Sequence, residues 1–281
     1  MSINLEIDAG RLLYGLSRIG YTTSSALCDI IDNSIRADAD FVRLLISKER
    51  KDFSDAKKNN VREYIIIDDG YGMNRQAILD ALKLGSSDEH YEEHSLSKFG
   101  LGLKSAAFSQ GDTLEVISSD GRGFNKFQIS LPQIMETKIY AAEEKEIDEI
   151  DQKLIDEYLN NGKGTIIRIA NIRKNNHPSV SNTINELNTK VGVIYYYFIH
   201  EEGVQIFIGD KNVEAIDPLF EDEANQNGNL DENDWDGTEV KWIEKKKTIT
   251  LDNEIGITAE IEITQLPYPP IFRIKHLGEA K

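Results

Sequence analysis

The sequence predicts an α/β fold, with a first domain over residues 1–199 and the start of a second, β-rich α/β domain over residues 200–281. Three observations predict it. Segments with apolar residues at helical spacing alternate with short apolar runs through the first domain. One of those runs, VREYIIID (61–68), reads as an apolar strand of the kind buried on both faces, with Tyr64 to Ile67 in succession. Beyond residue 200 the pattern changes to strand-like segments around an acidic, Asn/Asp/Gly-rich loop at 221–237.

Residues 9–19 and 23–37 carry the helical period, the second with Thr and Ser available as its N-cap. FVRLLIS (41–47) reads as a strand, 48–60 as a charged loop, and 61–68 as the buried strand that runs into the turn DDGYGM. A short helix is expected over 74–84. Residues 85–100 are polar with glycine at both ends and fit a mobile loop. A helix over 101–109, strands near 113–118 and 123–130, an amphipathic helix over 148–159 and a strand over 164–170 follow. The period then predicts one long helix over 180–198, ending in YYYF, with the aromatics packed in a core and a partner surface as the alternative. VQIFIG, TEVKWIE and ITAEIEITQL read as strands. No internal repeat is present.

Composition narrows the function classes. Hydrophobic residues make up 40% of the 281, an ordinary globular share. No window has the apolar length of a membrane span, and MSINLEIDAG lacks the basic start and apolar run of a signal peptide. The single cysteine, Cys28, excludes an internal disulfide and a four-cysteine zinc site. These features point to a cytoplasmic protein. The net charge of −17 repels nucleic-acid phosphates on average, which argues against general DNA binding by this chain. Lys245, Lys246 and Lys247 read as a solvated strand edge.

Four stretches carry candidate chemistry. In CDIIDNSIRADAD (28–40), Asp29 and Asn33 are four apart and share a helix face. An amide oxygen is a hard, neutral ligand suited to Mg²⁺, and a carboxylate one turn away can deprotonate a water; exposed or capping residues have the same appearance. In IIIDDGYGM (65–73), the strand delivers Asp68 to its end, and Gly70 and Gly72 let the backbone turn. Asp68 is either part of a tight Asp-Gly turn or an acceptor for an exocyclic amino group. In SKFGLGLKSAAFS (97–109), Gly100 and Gly102 open a helix whose N–H groups favour a phosphate, with Lys98 and Lys104 able to add charge. Neither a Walker loop nor a dinucleotide fingerprint is met there. In GKGTIIRI (162–169), the Thr165 hydroxyl opens a strand. His90 and His94 are four apart but lie in the polar loop without the H-E-x-x-H pattern, so they read as loop residues.

Taken together and in this order, the four stretches resemble the GHKL ATPase superfamily (gyrase, heat-shock chaperone, histidine kinase, MutL) over residues 9 to about 200. Within it, DNSIRADA, DDGYGM and KFGLGLKSA look most like MORC-type ATPases and their prokaryotic relatives. The resemblance implies a sandwich of a mixed sheet with helices on one face and ATP between helices and lid. It implies Asn33 as the Mg²⁺ ligand and Asp68 as the partner of the adenine amino group. Gly70, Gly72 and Met73 would border the base, and Thr165 would back it. Gly100, Leu101, Gly102, Leu103 and Lys104 would wrap the phosphates through backbone amides. The general base of the family is usually glutamate; here the position holds Asp29, one methylene shorter. The position three after the asparagine, often acidic in relatives, is Arg36.

The implied activity is ATP hydrolysis coupled to lid closure and an ATP-dependent homodimer, with DNA or a protein as client and no membrane. A nucleotide-dependent scaffold with little hydrolysis and a sensor histidine-kinase domain are the alternatives. Relatives of the MutL and gyrase kind carry a lysine in a second domain that reaches the terminal phosphate. Here the strands after residue 200 account for part of such a domain, with Lys275 the one late candidate. The chain therefore reads as a fragment of a longer protein, or as a member with a shortened transducer, with slow turnover and a largely monomeric state.

Overall fold

The computed structural model describes residues 8–18, 20–48, 61–85, 101–173, 180–227, 235–252 and 255–268. Two compact units divide the chain, Met1–Ala215 and Ile216–Lys281.

In the first unit the order is α1 (Ala9–Leu16), α2 (Thr23–Arg36), β1 (Phe41–Lys48), β2 (Val61–Asp68), α3 (Arg75–Leu82), α4 (Gly102–Gln110), β3 (Gly111–Asp120) and β4 (Asn125–Ser130). It continues with α5 (Leu131–Thr137), β5 (Glu143–Lys145), α6 (Glu149–Tyr158), β6 (Lys163–Ile172), α7 (Val180–Ile194), α8 (Tyr196–His200), β7 (Gln205–Ile208) and β8 (Lys211–Asn212). The eight strands form one mixed sheet in the order β5-β4-β3-β6-β2-β1-β7-β8. Only β1 and β7 pair parallel; the other neighbours are antiparallel.

Strand alternation sorts the apolar side chains onto two faces. Tyr64 and Ile66 of β2, Leu114 and Val116 of β3, and Ile167 and Ile169 of β6 enter the main core. That core is closed by Leu13 of α1, by Leu27, Ile30 and Ile31 of α2, by Phe108 of α4 and by Leu187 of α7. The intervening Ile65, Ile67, Ile117 and Ile166 point the other way and pack under Ile155 of α6 and Leu159 at its C-cap. The α/β sandwich is thus as expected, and α6 in addition covers part of the sheet's outer face.

α6 is held there by charge as well as by apolar contact. Asp148 and Asp151 form its capping box. Asp151, fully buried, accepts from Lys126 Nζ at 2.6 Å and from Arg168 Nη2 at 2.8 Å, and Arg168 Nη1 also donates to Glu115 at 2.6 Å. Removing one member of a buried network strands the others without compensation. Asp151→Ala is therefore expected to cost about 3 kcal/mol in denaturant unfolding; an unchanged midpoint would show that water reaches the two cations.

Three segments differ from the sequence expectation. The long helix over 180–198 is broken at Tyr195, whose hydroxyl shares its proton between the Cys28 carbonyl (2.8 Å) and Asp32 Oδ1 (2.5 Å). Of the YYYF aromatics, Tyr195 is in the core but Tyr197 is 57% exposed. α5 was not expected, although Pro132 in its first turn is a helix-start signal. In the second unit, α9 (Glu221–Asn227) opens the stretch read as a loop, with three acidic residues in its first turn. Among the described residues the strands of that unit are β9 (Lys241–Asp252) and β10 (Ile257–Gln265), paired antiparallel. Within it Lys245 donates to Asn225 and Lys246 pairs with Glu260 at 2.9 Å, on an exposed strand. Among the described residues no helix is long and apolar enough to cross a membrane.

Candidate functional site

β2 carries Asp68 to its last position, where the residue is 4% exposed. Asp68 stands opposite Thr165 on β6, and Thr165 opposite Ser118 on β3. Directly opposed residues share a face, so the three make a row on the helix-covered side of the sheet, continuing the line of Ile66, Ile167 and Val116.

This row is hydrogen-bonded with valence to spare. The Ser34 hydroxyl of α2 donates to Asp68 Oδ2 at 2.9 Å, and the Gly70 N–H donates to Oδ1 at 3.2 Å. A carboxylate accepts about four such bonds, so Asp68 keeps acceptor capacity. Burial pushes its carboxyl up to about 6, against the usual 3.8, and it remains ionised at neutral pH. The Ser118 hydroxyl donates to the Gly164 carbonyl and accepts the Met73 N–H, both at 2.8 Å. With that proton spent, the 2.8 Å contact between Ser118 and Thr165 is donated by Thr165.

The turn after Asp68 is built of glycines that the protein itself requires. A Cβ on Gly72 (φ +66°) would lie 1.9 Å from the Ser119 carbonyl oxygen. One on Gly164 (φ +122°) would lie 2.2 Å from the Asp68 carbonyl oxygen, and one on Gly70 2.6 Å from that of Ala37. The Tyr71 N–H donates to Ala37 and the Phe41 N–H to Asp69 Oδ1, which pins the turn to the end of α2 and the start of β1.

α2 presents the second half of the site one residue from Ser34. Asn33 is exposed, and its Nδ2 donates to the Asp29 carbonyl at 3.0 Å, which leaves the amide oxygen as what the side chain offers outward. A single neutral oxygen fits Mg²⁺, which keeps its waters and takes phosphate oxygens for the rest of its shell. Asp29 is half-buried and accepts a hydrogen bond from the Tyr21 hydroxyl. Asp32, one turn on, faces Tyr195, and burial raises its carboxyl above the ordinary range.

α4 starts at Gly102 behind Leu101, with no side chain capping its first turn. Leu103 packs against the main core. The Lys104 ammonium turns inward: the residue is 2% exposed, Nζ donates to the Ala81 carbonyl at 2.7 Å, and burial lowers the amine to about 8. What Lys104 offers a ligand is its backbone. Gly102 differs from the other site glycines, since among the described residues nothing would meet a Cβ there. Gly100 lies outside the described residues, as do Lys98, His90, His94, Lys275 and nearly all of the loop 85–100.

The model of the histidine kinase-, DNA gyrase B- and HSP90-like ATPase family matches residues 21–165, just over half of the 281-residue chain. The chain belongs to this family. ATP binding and an ATPase-type function come with membership of the histidine kinase-, gyrase B- and HSP90-like ATPases, and the match spans every residue from Tyr21 to Thr165. No individual curated protein matches the chain.

Sequence reasoning passed over three residues that hydrogen-bond within the candidate site: Ser34 to Asp68, Ser118 to Met73 and Gly164, and Tyr21 to Asp29. Ser34 follows Asn33 directly and lies on the buried side of α2, so the helical period was a signal for it. Ser118 has no local signal, because its place follows from the pairing of β3 with β6.

Proposed function

We propose that the chain is an Mg-ATP-dependent ATPase of the MORC/MutL kind. The observation that carries this reading is the buried Asp68, held by Ser34 and Gly70 with acceptor capacity left over, with Ser34 the helix neighbour of an outward-facing Asn33. In this reading Asp68 accepts the adenine amino group, Thr165 backs the base, and Gly70, Gly72 and Met73 border it. The amides of Gly100, Leu101, Gly102, Leu103 and Lys104 take the phosphates, and the open space at Gly102 suits a ligand approaching the backbone. Asn33 would hold Mg²⁺, which when bound neutralises phosphate charge. Asp29 accepts a proton from water as the water oxygen bonds to the γ-phosphorus. The bond from that phosphorus to the bridging oxygen breaks, and ADP leaves with the electron pair.

Nucleotide state would then drive closure of the loop 85–100 and homodimerisation, with a DNA or protein client, in the cytoplasm. The boundary between ATPase and transducer-like regions is proposed at residue 200. A scaffold with little hydrolysis is the second reading, favoured by the short reach of Asp29 where the family usually has glutamate.

Labelled ATP followed with the full chain separates the readings, since free phosphate marks an ATPase, phosphoprotein a kinase and neither a scaffold. Asn33→Ala is expected to weaken Mg-ATP binding by at least about 100-fold in calorimetry, with an unchanged melting temperature. Asp29→Asn should bind normally and release phosphate at least about 100-fold more slowly, because an amide cannot take the proton. Near-normal affinity in Asn33→Ala, or unchanged turnover in Asp29→Asn, would remove those residues from their roles, and Asp32 would be the next candidate base.

A further inference from the structure

We infer that Tyr21 is a positioning residue for hydrolysis, its hydroxyl fixing the Asp29 carboxylate between the metal-ligand helix and the phosphate-binding turn. The inference rests on the reading of Asp29 as the base.

Tyr21 immediately precedes Thr22, the N-cap of α2, and is half-buried. Its hydroxyl donates to Asp29 Oδ2. Ser105 of α4 lies beside the same phenol, and its hydroxyl is directed at carbonyls of its own helix turn, Leu101 at 2.9 Å and Gly102 at 3.0 Å. The phenol therefore stands between the Asp29 carboxylate and the start of α4. Burial, and then the bond to Asp29, raise the phenol above its ordinary range, so Tyr21 stays a protonated donor throughout neutral pH.

This arrangement answers a specific difficulty. Aspartate is shorter than glutamate and, on a half-exposed helix face, is free to sample several rotamers. The Asp29 backbone carbonyl is already engaged in orienting Asn33. The phenol takes Oδ2, which leaves Oδ1 for the attacking water. A ring with two rotatable bonds loses little entropy in holding that geometry. Misplacing a reacting group by about 1 Å can cost a factor of about 100 in rate, so the cost of losing the hydroxyl appears in kcat rather than in binding.

The test is a double-mutant cycle on the full chain, with phosphate release and Mg-ATP calorimetry on each protein. Tyr21→Phe removes one oxygen and keeps the ring's packing. It should lower kcat by at least about 10-fold with KM and Mg-ATP affinity within about 2-fold. In an Asp29→Asn background the same change should have no further effect on the residual rate. Asp29→Glu, which supplies its own reach, should restore most of the rate in Tyr21→Phe. A normal kcat in Tyr21→Phe, or an equal proportional loss in the Asp29→Asn background, overturns the inference while leaving Asp29 as the base. Turnover left unchanged by Asp29→Asn, or a wild-type chain that binds Mg-ATP and releases no phosphate, overturns the base reading and this inference together.

Discussion

Asp68→Asn is expected to lower ATP affinity by at least about 100-fold while leaving the ligand-free protein as stable as wild type or more so. The two effects have one cause. Asp68 is 4% exposed, and burial raises its carboxyl from 3.8 to about 6, which means that the fold holds the charged form at a cost. A carboxyl whose folded value lies above its unfolded one stabilises the fold fully below the unfolded value, and that contribution is lost as pH rises through the folded value. The window here runs from about pH 4 to about pH 6, and the shift corresponds to at most about 3 kcal/mol. An amide removes the charge; its oxygen still accepts from Gly70, and its NH₂ donates to the Ser34 oxygen, whose hydroxyl rotates away. What it loses is an acceptor for the adenine amino group. The same logic gives wild-type protein an ATP affinity that falls as pH drops through about 6, when protonation removes acceptor capacity from Asp68. Thermal unfolding at neutral pH and calorimetry across pH 5–8 check both halves. A mutant that is strongly destabilised, or that binds ATP normally, would show that Asp68 serves the turn and not the base.

The fold was legible wherever the signal was local. The run Ile65–Ile67 marked a buried strand because both faces of β2 are covered, by the main core and by α6. The Thr and Ser at the head of 23–37 marked the start of α2; the cap itself is Thr22, one residue earlier, whose hydroxyl accepts the Ser25 N–H. The features that escaped are set by distant parts of the chain. The break at Tyr195 serves a hydroxyl that reaches Cys28 and Asp32, over 160 residues away in sequence. That tertiary bond overrides a helical period that runs on to Phe198. α6 lies on the outer face because Arg168 and Lys126 point there and Asp151 meets them. No window around 148–159 contains that information.

The site divides in the same way. Asp29, Asn33, Asp68 and the glycines sit in recognisable strings, so the sequence alone singled them out. Their supports do not. The first serine in SSDGRG (118–123) or the one in DNSIR (32–36) looks like any other polar residue. Only the register Asp68–Thr165–Ser118 makes Ser118 the post that holds Met73 and Gly164. Lys104 shows the limit in the opposite direction. Its position after the glycines suggested charge for a phosphate, yet its ammonium is spent on the Ala81 carbonyl at the last turn of α3.

Glycines in one motif family can serve the fold or the ligand, and substitution by alanine should tell them apart. Gly72→Ala is expected to destabilise the first unit by more than about 4 kcal/mol. Its φ of +66° already penalises a side chain by about 1 kcal/mol or more. The larger effect is steric, since the new Cβ would lie 1.9 Å from the Ser119 oxygen, 2.7 Å from its carbon and 3.0 Å from the Gly164 nitrogen. None of these is a flexible side chain. All three belong to the backbone of β3 and β6, neighbours within the sheet, where Ser119 pairs with Gly164. The turn cannot retreat either, because the next residue, Met73, is anchored to Ser118. Relief therefore requires breaking the pairing that positions Thr165 beside Asp68, so folding and nucleotide binding should fail together. Gly102→Ala should do the reverse. Among the described residues nothing meets its Cβ, its φ is not in the left-handed region, and alanine in a helix gains about 0.5–1 kcal/mol over glycine. Its melting temperature should hold or rise, while Mg-ATP affinity falls by at least about 10-fold because a methyl group stands where phosphate approaches the amides. Denaturant unfolding and calorimetry on the two variants decide the matter. A stable Gly72→Ala protein would show that the turn can re-form elsewhere, and a Gly102→Ala protein with wild-type affinity would move the phosphates away from the start of α4.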